Sequence, residues 1–132
     1  MYKRQGSEIV FLRHEGYKNK FTATCSRTIE VNRTGKNIAI LEEIQAYKLL
    51  KFDIRKHLNP KVKVSLSLDK NKALLILDGQ GWDFSFKGNV KLLLEPSIFV
   101  EDNGKVKQTN QLILSGETLE ERTEVLWGFT KN

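Results

Sequence analysis

The chain has 132 residues, 39% of them hydrophobic and 29% charged, with 22 Lys and Arg against 16 Asp and Glu for a formal charge of +6. That is enough apolar material for one domain with a real core, and it excludes a disordered segment. No apolar run approaches the roughly 18 residues of a membrane-crossing helix, and a single cysteine, Cys25, excludes an intrachain disulfide.

Met1-Tyr2-Lys3-Arg4-Gln5 reads as the translated end of a transposon adaptor used in preparing sequencing libraries, as found in reading frames from metagenomic assemblies. Residues 1–5 are therefore expected to be a scar, residues 6–132 the domain segment, and the natural chain is expected to continue upstream. Without Lys3 and Arg4 the charge falls from +6 to +4.

From there nearly every segment alternates with period two between turn residues. Ser7–Arg13 is the first predicted strand. Thr22–Val31 follows, with Ala23, Cys25, Ile29 and Val31 on one face and Arg27 interrupting that face, which points to a buried ion pair or a groove. Asn32-Arg33-Thr34-Gly35-Lys36 supplies a hairpin turn into Asn37–Gln45. Ala46–Lys51 is ambiguous, with a weak helical hint over Ala46–Phe52. Phe52–Leu58 puts Phe52, Ile54 and Leu58 on one face and Asp53, Arg55 and His57 on the other, until Asn59-Pro60 breaks it. Val62–Leu68 alternates cleanly, and Ala73–Leu77 is apolar on both faces, as a central strand would be. Asp78-Gly79 is a tight turn into the aromatic strand Trp82, Phe84, Phe86, whose spacing assigns the rings to a core. Val90–Glu95 and Ser97–Val100 form one long strand or two, with Pro96 implying an edge or a bulge. Lys105–Leu114 returns, Ser115-Gly116 reads as a turn, and Glu124–Thr130 closes with Val125, Trp127 and Phe129 on one face. About ten strands of this length predict an all-β fold, an antiparallel β-sandwich open along one edge, with a closed barrel as the alternative.

Several segments also carry a family likeness. They are Arg13-His14-Glu15-Gly16-Tyr17, Phe52-Asp53-Ile54-Arg55-Lys56-His57-Leu58-Asn59-Pro60, the stretch Asp78 to Gly116 and Val125-Leu126-Trp127-Gly128-Phe129. In this order they resemble the closing, supersandwich-like part of heparinase II/III-like proteins, a family of bacterial polysaccharide lyases. Glu15, Lys56 and Asn59 depart from the family pattern, which has Asp, Phe and His there. The resemblance implies a full-length parent in which an N-terminal α/α toroid and upstream sandwich strands precede this segment. It also implies β-elimination on a uronate-containing glycan: one group neutralises the carboxylate, a Tyr or His removes the C5 proton and an acid assists the leaving oxygen.

The family's His-x-His-x-Asp-like and Ala-His-Asn-Thr metal-binding runs do not occur here. The expectation is thus no catalytic residue, no metal ligand and no cofactor in this segment, with a structural divalent metal belonging to the parent. Candidate substrate contacts are His14 and Tyr17, in a basic turn with Arg13, Lys18 and Lys20, and Arg55 with His57 on one strand face. Each has a plainer reading, a solvated turn for the first pair and an internal ion pair with Asp53 or a neighbouring glutamate for Arg55. The basic excess suits an acidic polysaccharide, reached through the parent. No nucleic-acid-binding motif accompanies it. The other reading of the chain is a noncatalytic carbohydrate-binding or interaction sandwich, which an exposed aromatic platform would favour.

Overall fold

The computed structural model describes residues 2–4, 7–14, 23–118 and 121–132, the first two segments through their backbone alone. Among these residues the chain forms eleven strands: β1 (Tyr2–Arg4), β2 (Ser7–His14), β3 (Ala23–Asn32), β4 (Asn37–Ala46), β5 (Lys51–His57), β6 (Lys63–Leu66), β7 (Lys72–Leu77), β8 (Gln80–Lys87), β9 (Val90–Val100), β10 (Val106–Glu117) and β11 (Arg122–Lys131). The expected antiparallel β-sandwich is the observed fold, and Val90–Val100 is one strand. Tyr2–Arg4, in the segment set aside above, pairs with the start of β2.

An eight-stranded sheet has the order β1-β2-β3-β4-β11-β8-β7-β6, and a three-stranded sheet the order β5-β10-β9. The chain thus lays down a meander, crosses to the small sheet, returns for a second meander, crosses again, and fills the gap in the large sheet with β11. Between the sheets lie Ile40, Ala73, Leu75, Phe84, Val125 and Trp127 from the large sheet, facing Ile54, Leu58, Leu92, Leu112 and Leu114 from the small one. Phe84 is fully buried, its ring 5.3 Å from Phe129 and 6.1 Å from Trp127. Trp82 packs against this cluster, as its spacing with Phe84 and Phe86 predicted. Burial of one such ring is worth about 1.5–3 kcal/mol, and tilted ring pairs add about 0.5–1.5 kcal/mol.

Turn chemistry follows the residues. Asp78 and Gly79 both take positive φ, 52° and 77°, which is the two-residue hairpin turn that an Asp-Gly pair favours. In the β3–β4 hairpin the Asn32 side chain accepts from Thr34 N and Thr34 Oγ1.

Three expectations are corrected. Ser115-Gly116 is no turn: both residues lie inside β10, paired with β5 and β9. Gly there admits the Asn89 carbonyl oxygen, which would lie 2.7 Å from an added Cβ. The helical hint over Ala46–Phe52 is also wrong, because these residues end β4, cross to β5 and begin it. The crossing is tied down by Thr118, whose N–H donates to the Leu50 carbonyl and whose Oγ1 accepts from Leu50 N and donates to the Lys48 carbonyl. Finally, β7 is paired on both sides but not covered on both faces, since Leu74 and Ile76 remain partly exposed.

Candidate functional site

Alternation along β5 buries Ile54 and turns Asp53, Arg55 and His57 to the outer face of the small sheet. Register then adds cross-strand neighbours. His57 sits opposite Gln111, which sits opposite Glu95, while Asp53 sits opposite Ser115 and that opposite Lys91. These two polar rows flank the row of Arg55, Ile113 and Leu93, and together they form one strip across the outer face.

Within it Arg55 is partnered, with its side chain half exposed. Its Nη2 lies 2.9 Å from Asp53 Oδ2, its Nη1 donates to Gln111 Oε1 at 3.3 Å, and Glu95 Oε1 is 4.0 Å away. Gln111 is buried, and its Nε2 donates to the carbonyl of Pro96, the proline of edge strand β9. His57 Nδ1 shares a 2.6 Å hydrogen bond with Ser97 Oγ. The plainer reading of Arg55 is therefore the observed one, an internal pair with Asp53. Arg55 and Lys91 against Asp53 and Glu95 leave the strip without net charge, so it offers a glycan hydrogen bonds more than net attraction. Glu95 is near Arg55, and Glu101 pairs with Lys107 at 2.7 Å.

The strip runs on into a shallow cleft of about 390 Å³ lined by Lys51, Asn89, Lys91, Ser115 and Glu117. Two lysines against one glutamate make this end basic. Sequence reading missed both Lys51 and Lys91, and also Gln111 and Ser97. Strand parity put Gln111 and Ser97 within reach of notice, but only the pairing register sets them beside Arg55 and His57.

The other two candidates lie elsewhere. His14 ends β2 in the large sheet, opposite Cys25, so it shares no sheet with Arg55 and His57. Tyr17 lies outside the described residues. Cys25 is half-buried, and burial, reinforced by the Glu42 carboxylate, pushes its thiol pKa up. It is a thiol at neutral pH and not an activated nucleophile. Arg27, which interrupted an apolar face, pairs with Glu42 at 2.6 Å, but Glu42 alone is buried and Arg27 is exposed, so the ion pair is half-buried where a buried pair or a groove was expected. Among the described residues no group of three or more His, Cys, Asp or Glu could hold a metal ion, so they do not fit the structural metal implied for a full-length relative. No helix among them is long and apolar enough to cross a membrane.

Comparison with known proteins places this geometry. The family model described as heparinase II/III-like, C-terminal, matches residues 2–128. Among solved structures, the heparinase III that is the BT4657 gene product aligns with a TM-score of 0.81 at 13% identity, covering 98% of this chain and 20% of that one. The heparan sulfate lyase HepC from Pedobacter heparinus aligns with a TM-score of 0.83 at 9% identity and the same coverage, 98% and 20%. A further heparinase III gives 0.73 at 12% identity, again over 98% of this chain and 20% of its own. No curated protein sequence matches. The chain thus spans about a fifth of the length of these structures, and at such identities their likeness speaks for the fold. Motif order, sandwich topology and a family match over residues 2–128 agree, and the chain belongs to the heparinase II/III-like family as its C-terminal domain.

Proposed function

We propose that this chain is the C-terminal sandwich of a polysaccharide lyase acting by β-elimination on uronate-containing glycans, and that it serves as scaffold and cleft wall. The observation that carries this is the state of Arg55: its guanidinium already bonds Asp53 and Gln111, so neutralising a substrate carboxylate would compete with these internal partners. Family membership and the likeness to a heparinase III and a heparan sulfate lyase support the reaction class. The remaining four-fifths of such a parent, including the toroid and upstream strands, would carry the catalytic groups and most of the contact with the acidic polysaccharide. Arg55 and His57 would then contribute hydrogen bonds along the cleft wall, with Lys51 and Lys91 at its basic end.

Two measurements test this. The purified chain, incubated with an acidic glycan, is expected to give no unsaturated-uronate absorbance above a blank, and product formation would overturn the noncatalytic assignment. In a full-length parent, Lys51→Ala with Lys91→Ala is expected to raise KM several-fold with kcat unchanged, since contacts made equally in ground and transition states act on KM alone. The noncatalytic carbohydrate-binding reading gains less support, because Trp127 is buried, Trp82 packs partly buried against the core, and the exposed rings Tyr47 and Phe99 lie on separate elements.

A further inference from the structure

Lys56 lies on the inner face of β5, at the position where the family pattern has Phe. Its Nζ is shielded from solvent and has no hydrogen-bond partner among the described residues. It sits 3.6 Å from the centroid of the Trp127 ring and 5.6 Å from that of Phe84. The edge of the same indole turns to the large sheet's ion pair: Trp127 Nε1 donates to Glu42 Oε1 at 3.3 Å, and Arg27 Nε donates to that oxygen at 2.6 Å. An amine from one sheet, an aromatic ring, a buried carboxylate and a guanidinium from the other thus form a continuous row across the sandwich.

The groups facing Lys56 can be named element by element. β4 presents Glu42 and β3 presents Arg27, with Cys25 on the same face and His14 of β2 opposite Cys25 in register. β8, β10 and β11 present Phe84, Phe86, Leu112, Val125 and Trp127. With Lys56 neutral the row is balanced, one cation against one carboxylate. With Lys56 protonated it holds one positive charge in excess, and its new cation competes with Arg27 for Glu42.

We propose that Lys56 is a proton switch built between the two sheets, neutral when the sandwich is tightest and charged when it loosens. Burial supports this by lowering the Lys56 pKa from the ordinary 10.5 to about 7, against the pull of Glu42 and with the push of Arg27. The sign follows from linkage. Between the folded and unfolded pKa values the unfolded chain binds more protons, so stability rises with pH across about 7 to 10.5 and is lost as pH falls through that window. The inference does not depend on the lyase reading.

The test is an NMR titration of the chain with its lysines isotopically labelled at Cε, from about pH 5 to about pH 11, with amide dispersion verifying that the sheets are formed. One lysine is expected to titrate near neutrality, and its signal to be missing from Lys56→Met. Glu42→Gln removes an attraction and is expected to move that midpoint down, whereas Arg27→Gln removes a repulsion and is expected to move it up. Every lysine titrating near its ordinary value in the folded chain would overturn the proposal, and so would Glu42→Gln and Arg27→Gln shifting the midpoint in the same direction. If either variant fails to fold, the titration of the unaltered chain still decides.

Discussion

Thr118 shows how much a single buried hydroxyl can organise. At 1% exposure it accepts from Leu50 N and donates to the Lys48 carbonyl, satisfying a crossing segment that no strand pairs. Thr118→Val keeps the shape and removes both bonds, so it is expected to lower stability by about 1–3 kcal/mol, read as a shift in the denaturant midpoint with an unchanged slope. Lys56→Met makes the opposite change. It removes a shielded donor that has no acceptor, and is expected to raise stability at neutral pH by about 1–3 kcal/mol while flattening the pH dependence above it. Equal stability of the two proteins near pH 7 would show that the cation–π contact with Trp127 compensates the buried ammonium. Neither residue announces itself in the sequence. Thr118 follows a strand end with no motif around it, and Lys56 is visible as a lysine at an inward-facing position where the family pattern has Phe. What it touches depends on a strand 71 positions away, that of Trp127.

At the level of elements, period-two patterns and turn residues were readable because each depends on neighbours in sequence. Asp78-Gly79, the alternation of β5 and the aromatic face of β8 all needed only local chemistry. The failures share a cause. Gly116 reads as a turn until the Asn89 carbonyl beside it is known, and the apolar β7 reads as covered on both faces although only its pairing is two-sided. The candidate site was half-readable for the same reason: Arg55 and His57 share a strand face by parity, while Gln111, Glu95 and Ser97 join them through register. β11 is the element on which the large sheet turns, since it alone pairs with both β4 and β8 and so joins the two meanders. Within it Gly128 sits opposite Ala39, where a Cβ would meet the Ile38 carbonyl oxygen. Gly128→Ala is therefore expected to cost about 1–3 kcal/mol, as overpacking does. Because the strain falls on the joining strand, hydrogen exchange should accelerate in both β4 and β8. Acceleration confined to one side would mean the sheet's halves hold together without β11.

Across the whole molecule the sheet edges decide how the chain meets other chains. β9 is an edge strand of the small sheet, and its two halves differ in character. The first half is guarded, with Lys91 and Glu95 along it and Pro96 in its middle, features that blunt strand-to-strand association. The second half, Ile98-Phe99-Val100, carries no charge, and Ile98 and Val100 are 63% and 59% exposed. It pairs only with β10, and Val106 opposite Val100 is exposed as well. The overall charge of +6 opposes self-association, but that repulsion is long-range and is screened within about 8 Å at physiological salt. Association through the hairpin tip should therefore strengthen as salt rises. Ile98→Lys places a charge on the exposed apolar half without touching the core, and is expected to abolish the salt-induced association while leaving the thermal midpoint within a degree or two. Sedimentation velocity of the two proteins at low and high salt reads this directly. If Ile98→Lys associates as before, the contact lies on another edge, and β6 at the far side of the large sheet becomes the next strand to charge.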